Sequence, residues 1–230
     1  MIQAAPDPAA ESWRNINAMN DLVHAILTTT GQLTVAALAG TAAAGGLMLA
    51  LAADPGWGRA GAVLTPHYAL MGLHGSEYWT YTLPRRVGAA EAARLTAACL
   101  PISPAAALRT GLVDHVIGAG PDGFGAEVAV LAGQLARSPA YPALLAAKTR
   151  RLAADGQHRP LAAYRAAELA VMRRNFTGPG EPYPHMRRAF VYKDKPSYTP
   201  PHLARHRTHP QPAPRRRVIP AAADADQLSA

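Results

Sequence analysis

Between residues 8 and 28 the apolar positions repeat with the period of an α-helix. Trp13, Ile16, Val23, Ile26 and Leu27 fall on one face, and Pro8 suits an early helical position. The pattern then changes to a short β-like apolar run over 33–38. A glycine turn and a short apolar helix ending near Asp54 follow it. Asp54-Pro55-Gly56 punctuates the chain, and residues 61–64 predict a second buried strand. Apolar strands on both sides of a helix predict a parallel sheet covered by helices.

Downstream, residues 67–81 form a loop dense in polar and aromatic side chains, and helical patterns then dominate. One helix is predicted over 89–99 and another over 103–110, with Ser103 as N-cap and Gly111 as the C′ stop. Residues 112–117 predict a third short strand, and helices are expected over about 125–137, 140–154 and 159–175. There is no repeat at a fixed period, and the globular part is expected to end near Lys195.

The 230 residues suffice for one well-filled core, and the composition is 49% hydrophobic but only 6% aromatic, which favours close-packed helices. The single cysteine, Cys99, excludes an intramolecular disulfide and fits a reducing cytoplasm; its apolar neighbours mark it as buried filler. The net charge of +8 invites a nucleic-acid reading, so its location matters. Residues 195–230 carry Lys195, Arg205, Arg207, Arg215, Arg216 and Arg217 against Asp224 and Asp226, with seven of the 21 prolines. Such a segment predicts a solvated, disordered basic tail whose contacts with phosphates are weak and nonspecific.

No basic segment followed by an apolar one opens the chain, so no signal peptide is expected. Residues 33–53 lack charge and are long enough to span a bilayer. Gly40, Gly45 and Gly46 interrupt them, however, and no flanking Lys, Arg or aromatic anchors are present. A buried strand, turn and helix is expected, without membrane contact.

The turn over 40–46 has the glycine spacing of a phosphate-binding P-loop, but Gly46 stands where the lysine is required and Leu47 where Ser or Thr follows. What remains is bare backbone N–H at a helix start, able to stabilise an oxyanion, or simply a tight strand-to-helix crossover. No metal-ligand spacing occurs among the loop histidines.

The run from Gly40 through Gly45-Gly46-Leu47-Met48 to Asp54 resembles the crotonase (enoyl-CoA hydratase/isomerase) signature G-x-A-x-G-G-G-x-x-L-A-x-x-x-D. Residues 100–114, with Ile102-Ser103-Pro104-Ala105 and Gly111-Leu112-Val113, resemble that family's next helix and strand. The resemblance implies an α/β fold of the crotonase (ClpP/crotonase) ββα type, its C-terminal portion here, binding acyl-coenzyme A thioesters. Hydratases of the family carry one catalytic glutamate where this chain has Met48 and a second where His67 follows Pro66. Without those carboxylates, ordinary enoyl-CoA hydration is not expected.

A narrower resemblance rests on residues 11–22, on Pro66-His67-Tyr68, on Met71-Gly72-Leu73-His74-Gly75-Ser76-Glu77-Tyr78-Trp79-Thr80-Tyr81 and on the stretch from Tyr164-Arg165 to Asn175-Phe176. These are similar to the crotonase-like C-terminal domain of the hydrogenase maturation factors HypX/HoxX. In that family a formyltransferase-like domain passes a formyl group to coenzyme A, and the crotonase-like domain releases carbon monoxide from formyl-CoA for the iron of [NiFe]-hydrogenase. The resemblance implicates Glu77 and Tyr68 as catalytic and Gly45 as an oxyanion donor, with Gly46 and Ala43 beside it. His67, His74 and Ser76 are near enough along the loop to be substrate contacts. From the residues alone, Glu77 could instead complement a helix dipole, Tyr68 could anchor a loop, and Ser76 reads as an N-cap. Trp13 and Trp79 read as packing residues.

The family's earlier β-rich half supplies the first oxyanion N–H and part of the coenzyme A groove. The chain is therefore expected to work as part of a longer polypeptide or with a partner, alongside the formyltransferase-like domain and hydrogenase maturation proteins. Another crotonase-type activity with Glu77 as base, or a non-catalytic fragment, are the alternatives. A partial crotonase-like domain is expected over 1–195, with its signature region at 31–118 and helices at 125–190, followed by the tail at 196–230. Homo-oligomerisation through the helices after 125 would suit the family.

Overall fold

The computed structural model describes residues 2–194; the expected basic tail at 196–230 lies outside them. The first helix, α1 (Pro8–Thr28), is capped by Asp7, whose side chain accepts the amides of Ala9 and Ala10, with proline in the first turn. Ile16, Val23 and Leu27 are buried, as the spacing predicts. Ser12 and Asn20 lie on the same buried face.

Three strands, β1 (Ala36–Leu38), β3 (Gly56–Arg59) and β5 (His115–Ile117), form a parallel sheet in the order β1-β3-β5. A second parallel pair joins β2 (Ala42–Ala43) to β4 (Leu64–Thr65), with Leu64 bridged to Ile102. The helix α2 (Gly45–Leu51) follows β2. No helix among the described residues is long and apolar enough to cross a membrane, and the uncharged run 33–53 contains β1, β2 and α2.

The strand expected at 61–64 requires correction. The strands are 56–59 and 64–65, separated by a turn in which Gly61 has φ +83°. Asp54-Pro55-Gly56 leads straight into β3, the central strand. Its Gly-Trp-Gly-Arg sequence has poor strand propensity, but a Cβ on Gly58 would meet Pro104 at 3.4 Å. Glycine here lets α5 (Pro104–Thr110) pack close to the sheet. The strand expected over 33–38 shortens because Thr34 is held by Asp54, whose Oδ2 accepts its amide at 2.8 Å.

The remaining helices are α3 (Trp79–Val87), α4 (Ala89–Ala98), α6 (Pro121–Arg137), α7 (Tyr141–His158), α8 (Leu161–Thr177) and α9 (Tyr183–Tyr192). Ser103 caps α5 through Ala106, and Gly111 ends it in the left-handed conformation, as expected. The helix α9 falls largely within the helical span expected over 125–190, beyond the individual helices predicted up to 175. The main core gathers Leu47, Met48 and Leu51 of α2 with Leu64, Leu83, Leu95 and Leu112. A second cluster sets Ile16 of α1 against Met172 and Phe176 of α8 and Tyr183 of α9. Cys99 is buried, and its thiol is pushed up by that burial.

Candidate active site

The chain leaves β2 through Ala44, whose φ of 47° and ψ of −126° lie in a region that residues with a Cβ rarely adopt. This turn gives the Ala44 amide to the Thr65 carbonyl at 3.0 Å and starts α2 at Gly45. Among the described residues the amides of Gly45 and Gly46, first in α2, donate to no protein acceptor.

Opposite this turn, Glu77 and Tyr78 both adopt positive φ, 63° and 57°. Two consecutive left-handed residues turn the chain sharply before α3, and the Glu77 carboxyl points inward, 1% exposed. Its Oε2 accepts the Tyr68 hydroxyl at 2.6 Å and the Ser76 amide at 3.1 Å. A Cβ added to Gly45 would stand 2.7 Å from its other oxygen, Oε1. Gly45 is therefore a glycine because the carboxylate lies against its backbone.

Burial pushes the Glu77 carboxyl above its ordinary value, opposed by the hydrogen bonds from Tyr68 and Ser76. Burial, then the neighbouring Glu77 charge, holds the Tyr68 phenol well above its ordinary range. Tyr68 is thus a fixed donor and Glu77 a strengthened base. The Tyr68 ring is seated on Gly75, where a Cβ would come within 2.1 Å of it.

Gly45, Gly46, Tyr68 and Glu77 line one cavity of about 240 Å³, closed by apolar side chains such as Ile16, Met19 and Phe176. Ala43, His67 and Ser76 do not line it. Ala43 lies in β2 opposite Thr65. His67 is buried with both ring nitrogens unpartnered among the described residues, and burial lowers its pKa. Met48, at the hydratase carboxylate position, is wholly buried in the main core.

The expectation that Ser76 caps a helix is overturned. Ser76 is fully buried, its Oγ accepts from Asn20 Nδ2 at 2.6 Å, and α3 begins only at Trp79. Glu168 of α8 serves that helix start, accepting the amides of Tyr78 and Thr80 at 2.9 Å each. Glu77 therefore does not complement the helix, and Tyr68 anchors the loop as well, lying 3.2 Å from the Ser76 carbonyl.

Sequence reasoning missed Glu168, Asn20 and Gly75. Asn20 carried a signal, being a polar residue at helical spacing from Ile16 and Val23 on an apolar face. Glu168 carried none, because the amides it accepts belong to a distant loop.

The family model for enoyl-CoA hydratase/isomerase matches residues 1–200. The chain belongs to that family. Beyond it, the chain is 45% identical over 212 residues to the hydrogenase maturation factor HoxX of Bradyrhizobium diazoefficiens, covering 92% of this chain and 37% of HoxX. A crystal structure of HypX from Aquifex aeolicus, a variant form, superposes with a TM-score of 0.84 at 39% identity over 90% of this chain and 37% of that one. An enoyl-CoA hydratase from Mycobacterium avium subsp. paratuberculosis K-10 matches with a TM-score of 0.68 at 24% identity, covering 79% and 72%, which speaks for the fold alone. The chain thus spans little more than a third of the length of its HoxX and HypX relatives. It is a crotonase-fold chain similar to hydrogenase maturation factors.

Proposed function

We propose that this crotonase-fold chain acts on a formyl-coenzyme A thioester and releases carbon monoxide for hydrogenase maturation, as part of a longer polypeptide or assembly. The observation that carries the reading is the Tyr68–Glu77 hydrogen bond, 2.6 Å long, buried against the Gly45 backbone. The cavity of about 240 Å³ is below the usual ~300–1,000 Å³ of small-molecule sites, which suits the smallest acyl group better than a long enoyl chain.

The formyl oxygen would accept from the Gly45 amide, with Gly46 beside it. Glu77 takes the formyl proton, and the C–H electron pair becomes the carbon lone pair of carbon monoxide. The C–S bond breaks with its pair on sulfur, and the thiolate then receives the proton from Glu77, giving free coenzyme A. Atoms and charge balance without an added oxidant or reductant. Tyr68 keeps the carboxylate oriented and donates to Oε2 throughout. The A. aeolicus HypX relative has been crystallised with tetrahydrofolic acid. The formylated form of such a carrier would suit a preceding formyl-transfer step.

The test is a single turnover of formyl-CoA with carbon monoxide trapped on a reduced haem protein. It uses both the chain alone and a HoxX chimera in which this chain replaces the matching region. Carbon monoxide equal to the coenzyme A released supports the proposal. Formate in its place would mark a hydrolase of the same family, and formyl-CoA that is neither bound nor turned over by either protein would mark a non-catalytic chain.

A further inference from the structure

A larger cavity, of about 480 Å³, lies at the N-terminal end of the parallel sheet. It is bordered by Leu33, which precedes β1, by Asp54 and Pro55, which precede β3, and by Asp114, which precedes β5. It shares no lining residue with the Gly45 cavity. Four cationic side chains face it, Arg85, Arg86, Lys148 and Arg151, against only two carboxylates, Asp54 and Asp114.

Two of the four cations have structural duties. Buried Lys148 lies 2.7 Å from Asp54 Oδ2. Arg86 contacts Asp114 at 2.8 Å and donates to the carbonyls of Ala53 and Asp54 at 3.0 and 2.8 Å. Among the described residues Arg85 and Arg151 have only longer ion-pair contacts. Their nearest carboxylates, Asp155 and Asp54, are each 3.8 Å away. Both are already engaged, Asp155 by the Tyr81 hydroxyl at 2.7 Å and Asp54 by Lys148. Arg151 Nε is buried with no acceptor among the described residues. Arg85 lies over the Tyr81 ring, 5.4 Å from its centre, and its pKa is lowered by burial and then by the charge of Arg151. Among the described residues, two guanidinium groups thus face one cavity with only a shared carboxylate each, at 3.8 Å.

A multivalent oxyanion relieves that crowding, and guanidinium forks match phosphate oxygens. The rest of the lining is largely apolar, with Leu33, Trp57, Leu135 and Leu144. We propose that this cavity is a second ligand site, which takes an organic phosphate monoester with its phosphate between Arg85 and Arg151 and its organic part against Trp57. The site stands independently of the proposed thioester chemistry.

The test titrates the full chain with phenyl phosphate, inorganic phosphate and benzoate, followed by calorimetry. Phenyl phosphate should bind saturably and more tightly than either of the others. Arg85→Met and Arg151→Met should each weaken it on the order of tenfold, as expected for lost hydrogen bonds to a charged group. Absence of saturable binding, equal binding of benzoate, or unchanged affinity in the folded double variant would each overturn the site. Should that variant not fold, phenylglyoxal labelling of the wild-type chain decides. Phenyl phosphate must protect Arg85 and Arg151 from modification, and equal labelling with and without it overturns the proposal.

Discussion

The Tyr68 hydroxyl donates to Glu77 Oε2 at 2.6 Å, and both side chains are buried. That hydrogen bond favours the ionised carboxylate, whereas burial opposes it, and burial is the larger influence. Removing the phenol should therefore raise the Glu77 pKa further. If Glu77 is the base, its activity grows as it deprotonates, so Tyr68→Phe should move the acid limb of the pH–rate profile for carbon monoxide release to higher pH. A profile that falls in height without moving would leave Tyr68 as a loop anchor only.

Glu77→Gln removes the base but keeps an acceptor for Tyr68 and the Ser76 amide. Carbon monoxide release should fall on the order of 10²–10⁴-fold, the usual contribution of a positioned general base. Coenzyme A affinity, measured by calorimetry, should change little. Full retention of turnover would remove Glu77 from the reaction.

Gly45 and Gly46 make a matched pair. A Cβ at Gly45 meets Glu77 Oε1 at 2.7 Å and Met19 Cε at 3.2 Å, whereas one at Gly46 meets nothing within 4 Å. Gly45→Ala should displace the carboxylate, at a cost of about 1–3 kcal/mol typical of overpacking. Gly46→Ala should leave stability unchanged or raise it by up to ~1 kcal/mol through better helix propensity. Urea unfolding of the two variants checks the contrast, and equal losses would mean that the carboxylate yields freely.

How much of this was legible follows from where each constraint resides. The helix α1 carried its own start signal in Asp7 and Pro8, and α5 carried both its cap and its stop in Ser103 and Gly111, so local chemistry sufficed. The strand β3 could not be read, because Gly58 faces Pro104 of α5 and Gly56 faces Asp114, which precedes β5, and no local pattern encodes either contact. In the site, periodicity alone leaves 67–81 a polar loop. It was the resemblance to HypX/HoxX that singled out Tyr68 and Glu77, and only the fold brings both into the cavity that Gly45 lines. Ser76 misled because a serine shortly before a helix is the usual cap. Here Glu168, some ninety residues downstream, holds those amides instead.

Glu168 also sets a stability dependence on pH. Burial pushes its carboxyl from an ordinary 4.5 up to about 7, against the hydrogen bonds from Thr80 and Tyr78 that favour ionisation. Between those two values the folded chain holds a proton that the unfolded chain has released. Stability must then fall as pH rises through the window, since the native state binds more protons there. The full shift corresponds to about 3 kcal/mol. Glu168→Gln keeps an acceptor for the start of α3 and removes the titration. Urea unfolding from about pH 5 to about pH 8 should show the wild type losing up to about 3 kcal/mol relative to the variant. Parallel curves for the two proteins would mean that Glu168 ionises in the fold as readily as in water, and that α8 holds the α3 start with a carboxylate at every pH in that range.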